Sequence, residues 1–299
     1  MKPYIALVKR EFLEHRGAFL IAPAVITLII ITVFASAILL GHSEIESEIR
    51  AEFTTMDSKA TLFTAFYGIS IVLWTIYLMI ALFFYYADSF SADRKNNGLL
   101  FWKSMPQSDL KILGSKVLAG GTVFPLAIGV WILIAGVMAY LFSIWISSLV
   151  PGVSTADPIS FVSTYIQMSI SAAVMVLLAL LWYAPFFAWV ALLSTVFKRW
   201  SIPLAFVVPG LLVLAERIFY FSVDNFESRI GNFISYRLES MFANENLLEE
   251  TVIQEGFNAA TFIFTMLNQY NWFHMFIGLA ITAGFVYGAS EYRRRLIEA

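Results

Sequence analysis

The chain contains no cysteine, so it forms no disulfide and offers no thiolate to a metal. Its three histidines, His15, His42 and His274, lie too far apart to show a ligand spacing. Charge is also scarce. Asp, Glu, Lys and Arg make up 13% of the residues, against roughly 25% in an ordinary soluble domain. A net charge of −2 gives no basic footprint, so no nucleic-acid partner is expected. Nucleotide and catalytic motifs are missing too. No Gly-x-x-x-x-Gly-Lys-Ser/Thr occurs, and Gly114-Ser-Lys116 lacks the upstream glycine that cradles a phosphate. There is no His-Glu-x-x-His, no Gly-x-Ser-x-Gly elbow, and no acidic pair inside adjacent apolar segments. The chain is expected to bind no cofactor or metal and to have no enzymatic activity of its own.

Apolar side chains are abundant, at 60% of 299 residues. One aqueous core could not enclose that much, so lipid must be the solvent for most of it. Six apolar segments stand out, at 18–40, 62–87, 117–147, 161–197, 201–221 and 271–290. They predict an all-α, multi-pass membrane protein with a single transmembrane domain. The first segment is longer than a signal h-region and lacks an A-x-A site, so a retained span is expected. The third and fourth exceed the roughly 20 residues that cross a core about 30 Å thick. They must tilt, kink or project. Pro185 is the expected kink in the fourth, with Pro125 and Pro209 as candidates in the third and fifth. Lys198, Arg199 and Trp200 alone separate the fourth from the fifth and read as a tight helical hairpin.

Charge sorting sets the orientation. Residues 1–17, the loop 88–116, the turn 198–200 and the C-terminal residues together hold 14 of the 19 Lys and Arg. All four segments fall on one side of a six-span topology. The positive-inside rule places that side, with both termini, in the cytoplasm, as in a bacterial inner or plasma membrane. Residues 42–61 and 222–270 then face outward. Within the longer outer segment, Phe226, Ile230, Phe233, Ile234, Leu238, Met241 and Phe242 recur at near-helical spacing. They predict an amphipathic outer helix, either a lid over the spans or a substrate gate.

Few polar groups lie within the spans. Glu216 and Arg217, near the outer end of the fifth, either snorkel to the interface or line a pathway or gate. Ala280, Gly284 and Gly288 form a small-residue stripe for helix packing, within the chain or against a second copy. In residues 1–17, Ile5, Val8 and Phe12 share one face while Lys9, Arg10, Glu11 and Glu14 occupy the rest. This is an interfacial helix, serving as a headgroup anchor or as an elbow that helps to dock a soluble partner.

The loop 88–116 has the most distinctive composition. A polar cluster at 93–97 precedes Gly98, an apolar run from Leu99 to Trp102 follows, and Pro106 interrupts it. Ser108 is placed to cap a helix with Asp109 in its first turn. Leu99 and Trp102 exceed what a topogenic loop needs and point to a binding surface or to burial in headgroups.

Asp93-Arg-Lys-x-x-Gly98-Leu-Leu, Ser104-x-Pro106-x-Ser108 and Ile112-Leu-x-Ser-Lys116, in that order, resemble the segment after the second span of ABC-2 type permeases. The N-terminal helix, the six spans, the short inner turn and the outer helical element extend the likeness to the whole chain. The outer segment 222–270 is longer than a minimal member needs and leaves room for an outer-face partner. The resemblance implies the membrane subunit of a type V-like ABC exporter. It implies a separate cytoplasmic ATPase subunit that binds ATP and Mg, and a second permease copy or related chain. It also implies that the loop carries a coupling helix seated in the ATPase. Asp93, Arg94 and Lys95 would hold the loop, Gly98 would permit close packing, and Leu99, Phe101, Trp102 and Pro106 would shape the contact. The alternatives are a non-transporting scaffold for an ATPase or sensor complex, and a membrane-embedded lipid-modifying enzyme. The 28 Phe, 13 Tyr and 8 Trp suit an amphiphilic cargo but equally suit lipid contact. They do not select among drug, lipid, peptide or polyketide-like substrates.

Overall fold

A computed structural model describes residues 2–40, 62–95, 109–149, 157–220, 228–239 and 257–298, and among these no strand occurs. The N-terminal helix α1 (Lys2–Glu14) passes through a π-turn, Gly17–Ile21, into α2 (Ala22–Leu40). Helix α3 spans Leu62–Lys95. Helix α4 (Asp109–Leu118) passes through a second π-turn, Ala119–Val123, into α5 (Phe124–Leu149). The 40-residue α6 (Pro158–Phe197) and α7 (Ser201–Phe219) are joined by the 3₁₀ turn Lys198–Trp200. Two short helices follow, α8 (Arg229–Glu239) and α9 (Ala259–Gln269), and then α10 (Trp272–Glu298).

Six helical stretches are long and apolar enough to cross a membrane: Gly17–Ser36, Leu62–Phe90, Leu110–Ser148, Pro158–Phe197, Ser201–Phe219 and Trp272–Arg295. These are the six expected segments, with ends moved by a few residues. At 1.5 Å per residue α6 is about 60 Å long, twice a hydrocarbon core, so it projects rather than merely tilting. Asp157 caps its start by accepting from the amides of Ile159 and Ser160, and Pro158 occupies the first turn, where no donor is needed. The helix continues without interruption through the buried Pro185.

Both π-turns have one local cause. Pro23 and Pro125 each follow a π-turn by two residues, and a proline supplies no N–H to the carbonyl one turn earlier. The bonding register slips instead, so the Ala22 amide reaches the Gly17 carbonyl and the Phe124 amide reaches that of Ala119. The slip leaves the Ala18 carbonyl without a helical donor, and the Tyr77 hydroxyl of α3 fills that role.

Helix α6 is the centre of the bundle. It packs along α3 and α10, and α5 lies against α3. Leu78, Leu82, Phe124, Ile128, Trp182 and Val190 are buried between them. Helices α2 and α7 form the rim and expose Val25, Leu28, Ile29, Phe206, Leu211 and Ile218, the surface expected of lipid-facing spans.

Four basic segments gather at one end of this bundle. Helices α1 and α10 both pack on α4. The α6–α7 turn is tied to α3 where Ser194 Oγ donates to the Tyr86 carbonyl (3.4 Å) and Ser201 Oγ to that of Ala87 (3.2 Å).

Candidate functional site

Glu11 and Lys116 form a buried ion pair at the basic end. The Lys116 Nζ stands 2.9 Å from Glu11 Oε1, and the two side chains are 3% and 8% exposed, in that order. On the face of α1 that turns inward, Glu11 lies one turn from Val8 and from His15 and adjoins Phe12. Burial of two charges costs more than a bare pair returns, unless further polar groups complete it. Tyr85 of α3 does this, since its hydroxyl lies 3.1 Å from both Glu11 Oε2 and the Lys116 carbonyl. The His15 ring meets that tyrosine edge-on at 4.8 Å, with Nε2 4.0 Å from Glu11 Oε2. Burial, chiefly, lowers the pKa of this imidazole and favours its neutral form. The next layer is aromatic. Phe19, in the first π-turn, stacks on Phe124 at 3.8 Å and 9°. Tyr86 bonds the Val117 carbonyl at 3.2 Å and fills the space beside Gly120. Helices α1, α3 and α4 are therefore joined by polar and aromatic contacts where the segment between α3 and α4 departs.

Of the residues expected to bind a partner, Asp93, Arg94 and Lys95 are the last three of α3, which runs beyond the expected loop boundary. Gly98, Leu99, Phe101, Trp102 and Pro106 lie outside the described residues. Helix α4 starts at Asp109, as the Ser108-Asp109 signal predicts.

A second polar centre lies at the opposite end of the spans. Arg237 of α8 is fully buried although its sequence neighbours read as an exposed amphipathic face. Its guanidinium donates to the carbonyls of Trp182 in α6 and His274 in α10. The Trp182 indole returns a bond to the Arg237 carbonyl at 2.8 Å. The cation lies 4.6 Å from the Trp182 ring centre and 5.2 Å from that of Phe233. Gly278 makes room for it, since a Cβ there would sit 2.1 Å from Nη2. No carboxylate among the described residues pairs with Arg237, and its Nε is unbonded. This group gave no sequence signal, because its partners are main-chain carbonyls.

Glu216 neither snorkels freely nor pairs with Arg217, which is exposed. Its carboxylate accepts from Ser228 Oγ (2.7 Å) and from the amides of Arg229 (3.1 Å) and Ile230 (3.2 Å). It caps α8 from a different helix. In the Ala280–Gly284–Gly288 stripe, Ala280 and Gly284 are exposed, nothing lies within 4 Å of a Cβ built at Gly284, and Gly288 only grazes Leu192 at 4.0 Å. Gly278 is the close-approach glycine of α10.

No family model, curated protein or solved structure matches the chain.

Proposed function

We propose that this chain is the permease subunit of an ABC exporter, moving a substrate out across the membrane with ATP hydrolysed by a separate ATPase subunit. The observation that carries the reading is the joining of α1 to α4 by the buried Glu11–Lys116 pair. The segment bearing the ABC-2-like motif leaves the end of α3 and returns at α4. A partner that pulls on that segment moves both helices, and through Glu11 it moves the N-terminal helix with them. One input at the basic end then reaches α2, α3 and α5 together, which is what a switch between two packings of a bundle requires. Asp93, Arg94 and Lys95 anchor the segment to α3. Leu99, Phe101 and Trp102 supply the apolar contact, and Gly98 allows close approach. A second copy of the permease, or a related chain, completes the pathway.

The test is affinity purification of the full chain from its native membrane, followed by ATP turnover in nanodiscs and uptake into inverted vesicles. An ATPase subunit should co-purify, and Gly98→Trp and Trp102→Asp should each lose it. Recovery of the chain without any ATPase overturns the reading. An ATPase that co-purifies but drives no uptake favours the scaffold instead.

A further inference from the structure

Helices α7 and α8 are joined into one arm. Glu216, in the last turn of α7, binds the start of α8 through the three hydrogen bonds described above. At its other end the arm begins in the Lys198–Trp200 turn, where Lys198 holds φ at 54°. Non-glycine residues seldom occupy this left-handed region, and the break separates α6 from α7 sharply. The arm is thinly packed along its length. The buried residues of α7 are Ser201 and Ala205, both near the turn. Trp189 Nε1 also reaches the arm there, at the Ala205 carbonyl (3.3 Å). In α8 the one buried residue is Arg237. The arm is therefore anchored at its root and held at its far end by a guanidinium.

Three properties make that hold releasable. The acceptors at Trp182 and His274 are helix carbonyls, and each oxygen has a second lone pair, so withdrawal breaks no helical bond. Among the described residues no carboxylate balances the charge, and its Nε is unbonded, so exposure to water or headgroups restores solvation that the closed site lacks. The seat depends on Gly278, and thus on one missing Cβ rather than on a broad interface.

We infer that Arg237 is a latch. Seated, it closes the α7–α8 arm against α6 and α10. Withdrawn, it frees the arm to swing about the Lys198–Trp200 turn and opens the seam between α7 and α6. The inference concerns the chain alone and stands or falls separately from any ATPase partner.

The test uses the full chain in nanodiscs. The sequence has no cysteine, so spin labels can be placed by single Cys substitutions. One pair, Leu238 on α8 and Phe273 on α10, reports the arm, and both positions are exposed. A second pair, Leu13 on α1 and Leu110 on α4, reports the basic end, again at exposed positions. In the unsubstituted protein the arm pair should show one short distance. Gly278→Ala should raise a longer-distance population by roughly tenfold, the change that follows from losing one charge-assisted hydrogen bond, and Arg237→Met, which loses both, should raise it by at least about that much. The basic-end pair should not move. Arg237→Lys should fall between, because an ammonium cannot span both carbonyls in the fork geometry. Trp182→Phe removes one bond and should shift the arm in the same direction by less, and it carries the test if the other variants fail to accumulate. Unchanged arm distances in the variants that fold overturn the latch. So does a concerted change at both pairs, which would make Arg237 a general structural anchor.

Discussion

Glu11 and Lys116, 105 positions apart in the chain, meet at 2.9 Å beneath the Tyr85 hydroxyl. Neither charge has much water to fall back on. Lys116→Met or Glu11→Leu alone should cost about 3–5 kcal/mol, because each removes the buried counter-charge of the other. The double change Glu11→Leu with Lys116→Met should recover most of that loss. A double-mutant cycle on unfolding in mild detergent measures the coupling. Tyr85→Phe should cost less, about 1 kcal/mol.

Gly120 and Gly121 are adjacent but differ in surroundings. A Cβ at Gly120 would lie 2.1 Å from the Tyr86 hydroxyl, whereas one at Gly121 meets nothing within 4 Å. Gly120→Ala should therefore destabilise by about 1–3 kcal/mol through overpacking. Gly121→Ala should be neutral or slightly stabilising. Thermal melts of the two variants side by side give the comparison.

His15 gives the basic end a pH dependence. Its imidazole titrates below the ordinary value, first through burial, with Lys116 acting in the same direction and Glu11, Glu14 and Asp88 opposing. A depressed histidine pKa means the unfolded chain binds the proton more readily. Its contribution to stability is complete above the unfolded value of about 6.5 and is lost as pH falls through the lower folded value. The melting temperature should decline on acidification from neutral pH, and His15→Phe should flatten that slope.

Glu216 governs the start of α8 specifically. Glu216→Ala should weaken the cap at the start of α8. Amide exchange at Arg229 to Asn232 should quicken while the core of α6 keeps its protection.

The spans and the clustering of the basic segments follow from features a sequence displays directly, namely apolar runs and the side on which Lys and Arg fall. The buried polar groups do not. Glu11 reads as a solvated residue on α1 because its partner lies far along the chain and no local spacing links them. Arg237 reads as part of a solvated face because its acceptors are carbonyls, to which every residue contributes equally. The π-turns did have a sign. Pro23 and Pro125 stand at matching places, and a proline soon after an interfacial helix shifts the bonding register before it kinks the axis. Pro185 has the same chemistry deep inside α6, yet the helix runs through it, held on both sides by α3 and α10.

The uninterrupted length of α6 has a mechanical consequence. A helix of about 60 Å that pivoted at its basic end would turn a tilt of about 5° into a travel of about 5 Å at its tip. At mid-bilayer the same tilt would move it by about a quarter of that. A displacement that is small near the Lys198 turn would thus be several times larger at the Asp157 end of α6.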